Sequence, residues 1–297
     1  MAAMRILVTG ASGFLGRAVV ESARARGHAV TAMTRSAAGN FGSDVAVVHA
    51  DLCRAEGLAE RLAGHDCVIH CAASMRNDSA EQQRDTIDAT RKLVAAMQAA
   101  GVRCIVLASS LAVYDHRRCA DLLDELAPLE SDVAARGPYV AAKLEQERLV
   151  RASGFDARIL RPGLVYGPGR EWFYHLGVVL LGRVWIALSG SARLPLVAVD
   201  SCAEAFVRAA ELPSGSTTLN VIDAARTTRR DYMRRIARDV RPAPLVLSLP
   251  WGALRFAARC ANLLGIQAGM LHPARLAARC RPLEYSTALA ERTLGSR

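Results

Sequence analysis

Lysine is nearly missing from this chain: of 38 basic residues only Lys92 and Lys143 are lysines. Aromatic residues are scarce as well, with six Phe, three Trp and six Tyr among 297 residues, and they do not interleave with basic clusters. No run of five like charges occurs either, so the net charge of +10 gives little support to nucleic-acid binding. It fits solvated arginine, or attraction for anionic ligands such as nucleotides. Long uncharged apolar runs are absent. The two most apolar stretches, 176–188 and 245–264, are interrupted by Arg183 and by Arg255 and Arg259; neither supplies the roughly 18 apolar residues of a membrane span. Within the second stretch, Trp251 to Leu264 reads as a helix with Arg255 and Arg259 on a polar stripe, its other face serving as core, pocket lining or a surface for a lipophilic substrate. Seven histidines and eight cysteines form no ligand cluster, and Cys67 and Cys71 lack the spacing of a zinc or redox pair, so no metal is expected. The cysteines read as buried small hydrophobes, as in Cys104-Ile105-Val106-Leu107. Met1 to Arg5 leads straight into a strand pattern with no room for a signal peptide; a reducing, cytoplasmic setting is the expectation.

Two patterns stand out against this background. Thr9-Gly10-Ala11-Ser12-Gly13-Phe14-Leu15-Gly16 follows a short apolar strand and opens a helix, the context a dinucleotide-binding fingerprint requires. Gly10 allows a tight turn, Gly13 a close approach of backbone to pyrophosphate, and Gly16 close packing of helix on sheet, while the helix N-terminus faces the phosphate charge. The second pattern, Tyr139-Val140-Ala141-Ala142-Lys143, puts a phenol and an ammonium four residues apart on one helix face. Alone, that would be an ordinary surface pair. Ser109 and Ser110 end another apolar strand, at the carboxyl edge where open parallel sheets bind ligands. Ser110 is therefore the third candidate. A carbonyl held by the Ser110 and Tyr139 hydroxyls can take hydride from a nicotinamide and a proton from Tyr139. A free phenol titrates near 10, so the task needs the positive field that Lys143 supplies.

Strand patterns at 5–9, 28–34, 45–49, 67–71, 103–108 and 156–161 alternate with helical ones at 14–26, 54–63, 80–100 and 137–152. This predicts an α/β fold, a Rossmann-type doubly wound parallel sheet spanning residues 1–169. Segments 194–199, 201–211 and 218–222 read as strand, helix and strand, so 194–225 is expected to return to that unit. Residues 170–193, with Trp172, Phe173, Tyr174 and Trp185 and Gly/Ser turns, and 226–297, read as mostly helical, are expected to form a smaller mixed substrate lobe.

These residues resemble the extended short-chain dehydrogenase/reductase family, which includes nucleotide-sugar epimerases and dehydratases and 3β-hydroxysteroid dehydrogenases. The likeness also covers Asp51-Leu52, Val68-Ile69-His70-Cys71-Ala72-Ala73, Ser109-Ser110-Leu111-Ala112-Val113-Tyr114 and Arg161-Pro162-Gly163-Leu164-Val165-Tyr166-Gly167-Pro168-Gly169. It implies that Ser110, Tyr139 and Lys143 are catalytic. It implies further that Gly10, Ser12, Gly13, Phe14, Leu15, Gly16, Asp51, Leu52, Ala72, Ala73, Pro162 and Val165 line the dinucleotide, with a homodimer formed through the two long helices.

The second strand ends Met33-Thr34-Arg35. NAD-selective members place an acid there for the ribose 2′-hydroxyl; Thr34 with Arg35 beside it suits a 2′-phosphate. NADP(H) is therefore preferred, with NAD(H) possible. The leading expectation for the substrate is a nucleotide-linked sugar, with Thr86, Leu164, Arg170 and Arg193 as candidate contacts and the arginines meeting a diphosphate. Leu164 stands where many such members carry Asn, which favours the alternative of a ketoreductase or 3β-hydroxysteroid dehydrogenase-like enzyme for a lipophilic substrate. A dehydratase is disfavoured because Leu111-Ala112, not Asp-Glu, follow Ser110. A non-catalytic NADP(H) sensor is the reading from another class; it gives no reason for Ser110, Tyr139 and Lys143 to occur together.

Overall fold

Ile6, Leu7 and Val8 of the first strand are fully buried, as are Val68, Ile69, Ile105 and Val106. Runs that are apolar on both faces belong in a parallel sheet covered on both sides, and the computed structural model has such a sheet. It describes residues 3–35, 41–54, 56–173, 176–180, 183–224, 227–263 and 272–295; Met1, Ala2, Tyr174 and Leu264 lie outside them. In chain order the first half runs β1 (Arg5–Thr9), α1 (Phe14–Ala25), β2 (Ala29–Thr34), β3 (Ala46–His49), α2 (Leu58–Leu62) and β4 (Cys67–His70). It continues through α3 (Ser79–Gln82), α4 (Ala89–Ala100), β5 (Cys104–Ala108), β6 (Leu122–Leu123), α5 (Val133–Arg136), α6 (Pro138–Arg151) and β7 (Asp156–Pro162). The second half follows with β8 (Leu164–Tyr166), β9 (Gly177–Leu180), β10 (Val184–Leu188), β11 (Leu196–Ala198), α7 (Val199–Ala210) and β12 (Thr217–Val221). The chain then forms α8 (Arg229–Ala237), β13 (Leu245–Leu249), α9 (Trp251–Leu263), α10 (Pro273–Cys280), β14 (Glu284–Tyr285) and α11 (Ala288–Leu294).

Seven strands lie in the order β12-β7-β5-β4-β1-β2-β3, all parallel. The chain order reverses between β1 and β4, and the crevice beyond their carboxyl ends is where such sheets hold ligands. One apolar layer joins α1 and α7 to the sheet through Val19, Val20, Ala203 and Phe206. The other joins α2 and α4 through Leu58, Leu62, Leu93 and Met97.

Two expectations need correcting. The helical stretch 80–100 is not uniform: residues 83–88 form a wider π turn between α3 and α4. Gln82 and Thr86 cause this locally by turning inward, Gln82 to donate to the carbonyls of Ser74 and Arg76 and Thr86 to donate to Gln82. The segments 170–193 and 226–297 also contain more strand than expected. β9 and β10 form an antiparallel hairpin, and β13 pairs with β10 in parallel across about 60 residues of chain. Cys67, Cys104, Cys119, Cys202 and Cys280 are buried, and Cys53, Cys71 and Cys260 are half-buried. No helix among the described residues is long and apolar enough to cross a membrane.

Candidate active site

The Gly-rich turn after β1 is shaped by backbone contact. Gly10 adopts φ +65°, and a Cβ there would lie 2.7 Å from the Ala72 nitrogen at the end of β4. A Cβ on Gly16 would come within 2.1 Å of the Gly10 carbonyl oxygen, so α1 packs this tightly only with glycine at that position. Gly13 is the N-cap residue and contributes no side chain, and the first turn of α1 carries no acid. The amides of that turn thus face an open groove that suits an anion. The groove has a volume of about 280 Å³ and is lined by Gly10, Ser12, Gly13, Arg35, Asp51, Leu52, Ala72 and Ala73, among others. These features fit a dinucleotide: glycine cradle, helix N-terminus and a slot between β2 and β4. Leu52 is buried, and Asp51 closes a turn by accepting from the Cys53 amide at 2.9 Å. Phe14 lies 4.9 Å under the Arg170 guanidinium; Leu15 packs against the core under α1. Pro162 is buried at the end of β7, and Val165 packs against the same core.

Ser110, Tyr139 and Lys143 come from neighbouring elements. Ser110 leaves β5 and caps a short turn at 111–113 that packs on α6, its Oγ accepting from the Ala112 amide at 3.1 Å. Tyr139 and Lys143 are one turn apart on α6, which starts at Pro138, a residue suited to a first helical position. Lys143 is buried. Its Nζ donates to the Ala108 carbonyl at 2.7 Å and to Gln146 Oε1 at 2.9 Å, and lies 6.0 Å from the centre of the Tyr139 ring. The bond to Ala108 ties α6 to the end of β5, two residues before Ser110. Burial pulls the ammonium down to about 8, against the opposing influence of Cys71 and Glu147.

A buried polar chain backs Lys143, and motif reading does not find it. Gln146 donates to Thr90 Oγ1 at 2.7 Å, and His70 bridges Thr90 at 3.0 Å and Thr9 at 2.7 Å. Thr90 spends its proton on the Thr86 carbonyl at 2.6 Å, so His70 must donate from Nε2 and accept from Thr9 at Nδ1. Burial, reinforced by Lys143, pushes His70 down to about 3, so the ring is neutral. A second buried group holds the other side. Arg161 grips Glu147 with two bonds of 2.9 and 2.7 Å, Ser109 donates to the same carboxylate, and Arg161 also donates to the Tyr114 hydroxyl, which in turn donates to Asn220. Burial alone would raise Glu147; the bonds to Arg161 and Ser109 bring it below the usual range. The signals available in the sequence were Gln146 and Glu147, three and four residues after Lys143, and Arg161 at the head of its motif. Asn220 offers none, being 106 residues from Tyr114.

The remaining candidates divide. Arg35 is exposed at the rim of the groove, 3.5 Å from Asp85. Thr34 is buried and paired with His49. Thr86 is fully buried, with its hydroxyl engaged by Gln82 and by the Ser74 amide, so it supports the groove wall rather than facing it. Leu164 is half-buried against the apolar cluster of Leu196 and Tyr232. Arg193 pairs with Glu284, and Arg170 lies over the Phe14 ring. Among the described residues no group of three His, Cys, Asp or Glu side chains could hold a metal ion.

The model of the NAD dependent epimerase/dehydratase family matches residues 6–225. The chain is similar to the 3-diazoavenalumate denitrifying reductase of a Streptomyces species, 33% identical over 81% of this chain and 83% of the relative. It is also similar to the 4-hydroxy-2-methyl-3-oxo-4-farnesyl-3,4-dihydroquinoline-1-oxide ketoreductase of Stigmatella aurantiaca, 29% identical over 88% of this chain and 80% of that one. In fold it is similar to MoeE5, solved with UDP-glucuronic acid and NAD, with a TM-score of 0.74 and 24% identity over 98% of this chain and 93% of that chain. The chain belongs to the NAD dependent epimerase/dehydratase family, as an oxidoreductase.

Proposed function

We propose that the protein is an NADP(H)-preferring ketoreductase acting on a lipophilic carbonyl compound. The observation that carries this reading is the setting of Lys143, a buried cation fixed to Ala108 and lying behind Tyr139. Bound nicotinamide supplies a hydride for the carbonyl carbon. Ser110 and Tyr139 hold the carbonyl oxygen, and Tyr139 delivers the proton that completes the alcohol. Its phenolate is stabilised by the Lys143 charge. Gln146 and the Ala108 carbonyl keep Nζ in place. The rate of reduction should therefore fall as pH rises through about 8, where Lys143 loses its proton.

Arg35 supports the NADP(H) preference, since a guanidinium matches a 2′-phosphate. The phosphate must draw Arg35 from Asp85, so NADH is a weaker but usable partner. A nucleotide-linked sugar, the leading expectation from the sequence, fits less well. Leu164 offers no amide, and Arg193, one of the arginines expected to meet a diphosphate, is committed to Glu284. The relative in Stigmatella is named for a farnesylated ketone, which supports the lipophilic reading. A homodimer through α4 and α6 belongs to the same reading. The test is oxidation of NADPH and of NADH by the purified protein with alkyl and aryl ketones, beside a nucleotide-linked 4-keto sugar. Turnover of the ketones with NADPH favoured supports the proposal; turnover of the sugar alone overturns it.

A further inference from the structure

The charge of the chain is distributed unevenly. Residues 1–225 hold 24 basic and 24 acidic side chains, whereas residues 226–297 hold 14 arginines against Asp231, Asp239, Glu284 and Glu291. The last 72 residues thus carry the whole net charge of +10. They begin where the match to the family model ends, at residue 225. Among the described residues, the ion pairs that reach this segment, Arg193 with Glu284 and Arg281 with Asp121, leave out Arg230, Arg234, Arg238, Arg255 and Arg259, all of them exposed.

Beside Arg255 and Arg259 lies an uncovered apolar face. The register of β9, β10 and β13 sets Leu180, Val184 and Leu245 in one row and Val178, Ile186 and Leu247 in the next, and residues in one row share a face. The opposite face sends Trp185 and Ala187 into the core with Tyr232 and Met233. On the outer face α9 covers one end, packing Leu254 and Ala258 with Leu188. Leu245 and Leu247 at the other end are 59% and 46% exposed. The outer side of α9 presents Phe256, 71% exposed, and, two turns on, Leu263, 85% exposed. Exposed arginines frame these groups. Arg255 and Arg259 flank Phe256, and Arg183 sits in the turn between β9 and β10, its carbonyl accepting from the Leu245 amide at 2.8 Å.

We infer that this face docks on an anionic lipid surface, with Leu245, Leu247 and Phe256 entering the bilayer interface and the arginines binding headgroups. Apolar residues bordered by arginine suit the boundary between headgroups and acyl chains. Each basic side chain near an anionic leaflet adds to the attraction. A second copy of the chain would bring two +10 segments together and is repelled. A nucleic acid would match the charge but leave the leucines and Phe256 without an apolar partner. The inference stands apart from the choice of substrate, because it uses no residue of the candidate active site.

The test is flotation of the full chain with vesicles of phosphatidylcholine, and with vesicles in which phosphatidylglycerol makes up about a third of the lipid. The protein should float with the anionic vesicles, less as salt is raised, and stay behind with the neutral ones. The triple variant Leu245→Ser, Leu247→Ser, Phe256→Ser should lower vesicle affinity at least about tenfold. Arg255→Gln with Arg259→Gln should lower it by about tenfold at low salt. Both should keep the wild-type far-ultraviolet spectrum and cofactor affinity. Failure to float with anionic vesicles overturns the inference, as does flotation unchanged in both variants. A dimer seen by light scattering and dissociated by the triple variant would assign the face to a second copy and also overturn it.

Discussion

Arg161 and Arg255 carry the same side chain into opposite surroundings. Arg161 is buried at the end of β7, bonded twice to Glu147 and once to the Tyr114 hydroxyl. Arg255 stands exposed on α9 beside Phe256. The two residues stand for their regions. In residues 1–225 positive and negative charges balance, and the buried ones brace α6, β5 and β7 around the candidate active site; in 226–297 arginine outnumbers acid and, the buried Arg229 apart, most of the described arginines lie at the surface. A buried guanidinium persists only with its partner, whereas an exposed one is solvated and free to meet an external anion. Charge thus holds the site together in one region and is available for binding in the other.

The largest effect is expected within the balanced region. Tyr139→Phe should lower kcat by roughly 10²–10⁴ while leaving cofactor affinity unchanged in a fluorescence titration; an equally active variant removes Tyr139 from the chemistry. Next comes the brace. Glu147→Gln leaves Arg161 and Arg151 without their carboxylate and should cost about 3–5 kcal/mol in denaturant titration, whereas Arg234→Gln on the outward face of α8 should stay within about 0.5 kcal/mol. Equal losses would erase the distinction between the regions. Acid should act on the same side of the comparison. Burial pushes His70 to about 3 and His116 to about 4, below the 6.5 of the unfolded chain. The unfolded state therefore takes up protons first, and the melting temperature should fall as pH drops from 6.5 toward 4. A flat profile would contradict the neutral, buried imidazoles. The smallest effect sits at the groove rim, where Arg35→Ala should weaken NADPH binding by roughly tenfold and NADH binding much less. An equal loss for both cofactors would remove the 2′-phosphate contact.

Much of the balanced region was legible because its signals are local. β1, the Gly10 turn and α1 are specified by neighbours in sequence, and each expected parallel strand lies within about a residue of its position. Ser110, Tyr139 and Lys143 were legible as candidates for the same reason. The groups that hold them were not: helix spacing marks Gln146 and Glu147 as neighbours of Lys143 but says nothing of Thr90, His70 or Arg161 across the core. The π turn at 83–88 follows from Gln82 and Thr86 turning toward Ser74, a tertiary contact. β13 lies between the expected helices 229–240 and 251–264 and carries no signal of its own, because Leu245–Leu249 is a short apolar run that periodicity alone does not assign. Its partner β10 is distant in sequence.

The most direct test of the central claim follows the hydride itself. Wild-type protein would be given NADPH deuterated at C4 and a lipophilic ketone, with the product alcohol weighed by mass spectrometry. Deuterium on the carbinol carbon with wild type, and none above background with Tyr139→Phe, is the predicted result. Label that stays on the cofactor with every ketone, while a nucleotide-linked keto sugar accepts it, would contradict the account.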